Sequence, residues 1–180
     1  ITVSATSTSN IDALAFGIAL TVATSSGTTV SADAVAAVTN NNIDNTVEAI
    51  ISDSDVTDDE TVRAAGPIIL SAADGSSINA ASVAASVSVS ASSNTALSGS
   101  VAVTLADNTI TNETRAAIDH ADVATTSGAV ILTATSTSDI DATAVAASVG
   151  FSGSSSAAIS LSGAGAESSN TVTNTVEAAI

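Results

Sequence analysis

Apolar and polar residues alternate along most of the chain. Ile1, Val3 and Ala5 stand between polar partners, and the stretch from Ile43 to Ile51 repeats the pattern. A period of two residues is typical of a β-strand with one buried face. Residues 12–22 differ because they are apolar on both faces, one small and one large. The small face carries Ala13, Ala15, Gly17 and Ala19, and the large face carries Leu14, Phe16, Ile18, Leu20 and Val22.

A helix over residues 11–23 is the alternative for this Ala- and Leu-rich segment. The corresponding segments, residues 77–92 and 139–154, are rich in Val, Ser and Gly. These residues are poor helix formers. Because equivalent segments share one structure, the sequence predicts strands at all three places.

The chain contains three copies of one unit. The motif "NTVEA" occurs at 45–49 and again at 174–178, and "ATSTSNIDA" at 5–13 recurs as "ATSTSDIDA" at 134–142. A middle copy aligns Ile11 with Ile78 and Ile140. The copies are residues 1–66, 67–129 and an incomplete 130–180. Tandem copies that cannot each close a core indicate a stacked repeat architecture.

The predicted fold is all-β: one continuous parallel β-solenoid of three tandem copies, each about 62–67 residues long. Each copy forms either one wide coil or three small coils of about twenty residues. Glu48, Arg115 and Glu177 share one position, so direct stacking would place a cation between two acids. Since stacked carboxylates destabilise a sheet, this pattern favours the wide coil. We expect a flattened, layered coil to cover both apolar faces of residues 12–22.

Charge narrows the classes of partner. The chain has 18 acidic residues, two basic residues and a net charge of −16. Nucleic acids and anionic membranes both attract basic proteins, so neither is an expected partner. No apolar run is long enough for membrane insertion. The chain begins on a strand-like segment without Met, so we interpret it as an excised or processed piece of a longer protein.

One scheme of strand, turn and Asn-marked positions runs through the chain. The residues that carry it are Ile1, Val3, Ala5, Ile11, Asp12, Ala13, Ala15, Asn41, Ile43, Asn45, Val47, Ala49, Ile51, Ser54 and Val56. This scheme resembles the β-strand repeats of very large bacterial surface proteins, the filamentous-adhesin and leukotoxin-like group. The resemblance implies a secreted or surface-anchored right-handed β-solenoid that acts in adhesion and as a fibre.

Candidate chemistry is sparse. A dense run of oxygen ligands makes calcium the one cofactor that the sequence leaves open. The run lacks the spacing of an EF-hand, so a solvated acidic loop is the competing interpretation. His120 is the only histidine, and we expect an exposed linker residue there. Without a Ser/His/acid set, no enzyme is predicted. The candidate calcium ligands are Asp53, Asp55, Asp58, Asp59 and Glu60.

Recurring asparagines predict side-chain ladders that link successive copies. Their positions repeat with the copies, as do those of the charged column described above. The predicted ladder residues are Asn41, Asn108, Asn170, Asn45, Asn112, Asn174, Glu48, Arg115 and Glu177.

The sequence therefore favours a structural repeat segment of an extracellular bacterial fibre or cell-surface adhesin. Its partners would be further copies of itself, joined end to end or laterally, and a host or cell-surface receptor, with acids coating the outside. The first alternative is a calcium- or carbohydrate-dependent adhesive module. A polysaccharide-processing β-helix enzyme ranks last, because sugar stacking needs aromatic residues and the chain has only two.

Overall fold

A computed structural model describes residues 1–52 and 61–180 of the protein. Across these residues the protein is all-β. Six long strands and two short ones account for nearly all of them. The strands are β1 (Thr2–Ser25), β2 (Thr28–Ser52), β3 (Thr61–Ala64), β4 (Ile68–Ser92), β5 (Thr95–Asp119), β6 (Asp122–Thr125), β7 (Val130–Ser154) and β8 (Ala157–Ala179).

The strands form three parallel sheets, which we name by their strand order. They are β1-β4-β7, β2-β5-β8 and the short pair β3-β6. Ile11 pairs with Ile78, and Ile78 pairs with Ile140, so equivalent residues lie directly over one another. The parallel β-solenoid is thereby confirmed. Each copy makes one wide coil, and the alternative of three small coils per copy is wrong.

Each coil is a flat strand–turn–strand unit. A strand of 24 residues, such as β1, extends about 80 Å at the usual rise of 3.3 Å per residue. The chain turns at residues 26–27, 93–94 and 155–156 and returns in the facing sheet. Two halves of this slab are used below. The turn half comprises residues 13–37, 80–104 and 142–166, and the linker half comprises the remaining residues of the six long strands.

The linker half holds the apolar core. One cluster lies around Ile68, Leu70 and Ile118, at the end of the slab farthest from the turns. A second cluster lies nearer the middle, where Ile43, Ile78 and Ile110 are almost fully buried. These residues occupy the inward positions of the alternation, so burial of their side chains stabilises the stack by the usual hydrophobic term.

The turn half has an interior of small and hydroxyl-bearing residues. Ser31 and Ser88 contact across the sheets at 2.7 Å between their Oγ atoms, and the Ser82 hydroxyl donates to the Ala37 carbonyl at 2.8 Å. The sheets are too close here for large side chains. A Cβ added at Gly17 would lie 2.6 Å from Cγ2 of Val35.

The large apolar side chains of the turn half point outward. Leu14 is 75% exposed and Phe16 is 65% exposed, whereas their small neighbours Ala13 and Ala15 face the opposite sheet. The expectation that both faces of residues 12–22 are covered is therefore wrong. Two sheets enclose only one interior, and the small face occupies it.

Candidate functional site

Stacked asparagines run through the linker half along the axis of the solenoid. The side-chain amide of Asn41 donates to Oδ1 of Asn108 at 2.8 Å, and Asn108 donates in the same way to Asn170 at 2.8 Å. Asn108, in the middle copy, is fully buried. Each side-chain NH₂ group donates to the asparagine of the following coil, so all hydrogen bonds of this ladder point in one direction along the axis.

The second group of predicted ladder residues hydrogen-bonds to the facing sheet rather than along the ladder. Asn45, Asn112 and Asn174 lie over one another in register. The bonds that the structure gives their side chains run to the facing sheet. Asn45 donates to Oγ of Ser9 at 3.0 Å, and Asn174 donates to Oγ of Ser138 at 3.0 Å. These asparagines therefore tie the two sheets together.

A buried carboxylate lies at the centre of this second group. Asp74 is 4% exposed. Its Oδ2 accepts from Asn112 at 2.6 Å, and its Oδ1 accepts from Asn45 at 3.1 Å. The Ser76 hydroxyl also donates to it, at 3.0 Å to Oδ2. Several donors thus replace the water that a carboxylate loses on burial.

Asp74 and Asp33 correct the expectation that acids coat the outside. Asp33 points inward and accepts a hydrogen bond from Ser86. Both sites were missed because the copies disagree there: the positions equivalent to Asp74 are Ser7 and Ser136. The available signal was parity, since Asp74 lies four residues before Ile78 and so faces the core.

The predicted charged column lies on the outer surface of the sheet β2-β5-β8. Glu48 and Arg115 occupy paired positions, as do Arg115 and Glu177. Arg115 Nε lies 3.1 Å from Oε2 of Glu177, and the side chains are 26% and 50% exposed. Such exposed pairs contribute about 0–1 kcal/mol to stability.

His120 follows β5 on the exposed turn toward β6. Its φ of 48° is in the left-handed region, and its Nδ1 lies 2.6 Å from Oδ1 of Asp119. The side chain is 76% exposed. Across residues 1–52 and 61–180, no group of three His, Cys, Asp or Glu residues is arranged to hold a metal ion.

The candidate calcium ligands lie outside the described residues. They are Asp53, Asp55, Asp58, Asp59 and Glu60. Within the described part of the chain, there is no helix of the length and apolarity needed to cross a membrane.

The two ends of the solenoid are open sheet edges. β1 pairs on one side with β4, β8 pairs on one side with β5, and neither has another strand partner among the described residues. The Asn ladder ends in matching groups. In the same part of the chain, the amide of Asn170 has no acceptor and Oδ1 of Asn41 has no donor. The end of the solenoid at the third coil therefore carries a free amide donor, and the end at the first coil carries a free amide oxygen that can accept from it.

Comparisons with protein-family models, with curated proteins and with solved structures each find no match.

Proposed function

We propose that this chain is a structural repeat segment of an extracellular bacterial fibre or surface adhesin, extended by end-to-end stacking of further copies. The observation that carries the proposal is the uninterrupted register of three parallel coils with an open edge at each end. An open edge presents a row of backbone N–H and C=O groups, which is a template for another strand.

A further copy would continue the pattern already present within the chain. If β7 of one chain met β1 of the next in the same register, Ile140 would lie over Ile11. On the facing sheet, the Asn170 amide would meet Oδ1 of Asn41 and extend the ladder by one member. The side-chain ladder thus favours a head-to-tail joint over a head-to-head one, because only the former pairs a donor with an acceptor.

The same register brings like charges together at the joint. Glu177 would lie beside Glu48, and Asp141 would lie beside Asp12, with all four on outer faces. Directly opposed like charges weaken a strand pair. Added salt weakens the repulsion between exposed charges, because the screening length falls from about 30 Å at 0.01 M to about 3 Å at 1 M ionic strength. We therefore expect end-to-end assembly to increase with salt concentration.

Fibre diffraction and electron microscopy of the purified chain test the proposal. The expected result is filaments with a meridional reflection near 4.8 Å, the spacing of neighbouring strands along the axis. Filament length should rise with ionic strength. A chain that stays monomeric at every salt and protein concentration would contradict the proposal.

Thermal unfolding with and without millimolar CaCl₂ separates this proposal from a calcium-dependent binding module. A scaffold held by main-chain hydrogen bonds should give the same Tm in both conditions, with MgCl₂ as the matched ionic control. A rise in Tm specific to calcium would favour the binding module, because a ligand of the native state stabilises that state.

A further inference from the structure

We infer that the outer face of the sheet β1-β4-β7 in the turn half is a lateral docking surface for the same face of a second copy of this chain. We call this surface the lateral face. It deepens the proposed function and rests on it, because it explains how stacked columns would pair side by side. The lateral face is formed by Leu14, Phe16, Ile18, Leu20, Val22, Ala81, Val83, Ala85, Val87, Val89, Thr143, Val145, Ala147, Val149 and Phe151.

The lateral face is apolar except at Thr143, and it carries no charged side chain. Phe16, Ile18 and Leu20 are each 65–69% exposed, and Phe151 in the third coil is 59% exposed. In the second and third coils, small and large columns alternate over the first four columns of the face, and a second large column follows at its end. The column of Val87 and Val149 is a ridge, and the column of Ala85 and Ala147 is a groove. Ridges that enter grooves are the means by which stacked sheets pack.

The chemistry of the surrounding backbone disfavours lipid as the occupant. The open edges of β1 and β8 border the turn half and carry unpaired backbone groups. Such edges are not tolerated in contact with hydrocarbon. A second copy satisfies both requirements, because it covers the apolar face and leaves the edges free for stacking or water.

The outer face of the sheet β2-β5-β8 is a poorer candidate. Its third coil has glycines at positions 163 and 165, next to Glu167 at the border of the half. Glu167 lies in the same column as Val38 and Leu105. An apolar partner there would desolvate a carboxylate, which is unfavourable.

The size of the lateral face sets a condition on pairing. Nine residues by three coils cover roughly 400 Å², taking 3.3 Å per residue and 4.8 Å per coil. A stable protein–protein interface buries about 800 Å² on each partner. One chain therefore supplies about half of the required area, and two chains stacked end to end supply all of it. Lateral pairing should follow end-to-end stacking rather than precede it.

Charge sets the orientation of the pair. Apart from the inward-facing Asp33, the charged residues of the long strands lie in the linker half. Paired columns repel least when their turn halves overlap and their linker halves project in opposite directions. In that arrangement, Ile18 lies near Ile18 of the second copy. Thr8, in the linker half of the same strand, lies about 65 Å from its counterpart at 3.3 Å per residue.

Mass per unit length, measured by scanning transmission electron microscopy, tests the inference. Wild-type filaments should have twice the mass per length of a single column. Ile18→Asp should give single columns of normal length. The matched control Thr8→Asp adds the same charge to an outward position of β1 and should keep the doubled mass. Single wild-type columns, or doubled Ile18→Asp columns, would overturn the inference while leaving end-to-end assembly intact.

Cross-linking provides a second measurement that does not depend on a disruptive substitution. The chain has no cysteine, so Ile18→Cys and Thr8→Cys each carry a single thiol. A bis-maleimide about 10 Å long, the distance between packed sheets, should link Ile18→Cys chains and not Thr8→Cys chains. Equal linking of the two variants would overturn the inferred orientation. Chains that form no columns would contradict the proposed function, and the lateral inference would fall with it.

Discussion

The two halves of the slab differ in the side chains that they bury. The linker half encloses isoleucines and leucines together with polar groups such as Asp74, and Ile78 is 1% exposed. Apart from Asp33 and Val35, the turn half places serines, alanines and other small residues inside, and its Leu, Phe, Ile and remaining Val residues lie outside, with Ile18 65% exposed. Both halves belong to the same strands and follow the same alternation. A period of two therefore defines two faces without saying which one is buried.

Side-chain size explains the difference between the halves. In the turn half, the small residues allow the sheets to approach closely, and serine hydroxyls satisfy one another or the backbone across the gap. In the linker half, larger residues fill a wider interior. The comparison indicates that the linker half supplies most of the folding stability, whereas the turn half presents a large apolar outer surface.

The largest expected effect is the difference in stability between an Ile→Ala substitution in the linker half and the same substitution in the turn half. Ile78→Ala should destabilise the chain by about 3 kcal/mol, because it leaves a cavity among packed isoleucines. Ile18→Ala removes the same atoms from the exposed face and should change the stability of the monomer by less than about 0.5 kcal/mol. Urea unfolding at low protein concentration measures both. Equal losses would show that the outward face is buried in the monomer.

The next effect concerns the buried acid of the linker half. Asp74→Ala should destabilise by about 2 kcal/mol, because it leaves the amides of Asn45 and Asn112 without their acceptor. Asp107→Ala removes the same charge from an exposed position of β5. It should leave the free energy of unfolding almost unchanged. If Asp74→Ala were neutral or stabilising in urea unfolding, Asp74 would have no structural role.

A third substitution tests the closeness of the sheets in the turn half. Ser86 is 1% exposed and bonds to Ser100 at 2.6 Å. Ser86→Val should destabilise by about 1.5 kcal/mol, although valine is more apolar, because the interior lacks room for it and Asp33 loses the hydrogen bond that Ser86 donates. Ala85→Val adds bulk on the outward face of the same strand and should be neutral. A stabilising Ser86→Val, seen as a higher Tm, would show that the turn half is underpacked.

The smallest effect lies on the outer surface. Arg115→Gln should destabilise by about 0.5 kcal/mol at low ionic strength, because it removes the exposed pair with Glu177. The difference from wild type should disappear in 1 M NaCl, where the screening length is about 3 Å. Paired urea titrations at the two salt concentrations measure this. A loss that persists at high salt would assign the effect to packing of the Arg115 side chain.

Much of the fold could be predicted from repetition alone. The alignment of Ile11 with Ile78 and Ile140 predicted the register that β1, β4 and β7 adopt. The recurrence of Asn41, Asn108 and Asn170 placed three amides within bonding distance. Parallel stacking in register makes this inference reliable, since equal positions in the copies become neighbours in space.

The rest depended on which residues of the other sheet each position faces. Asn45 bonds to Ser9, which precedes it by 36 residues, and Asn174 bonds to Ser138 at the same interval. Alternation along one strand does not show that these two positions face each other across the interior, because that depends on how the returning strand is placed against the first. The partner of Asp33 likewise lies outside its own copy, because Ser86 belongs to the facing strand of the next coil.

The sequence by itself determined the strands, the copies and the order in which they stack, because these follow from alternation and from residues that recur at equal positions. The tertiary structure alone decided which face of each strand is enclosed. That choice depends on how closely two sheets approach, and the approach is fixed by the side chains of both sheets together rather than by either strand.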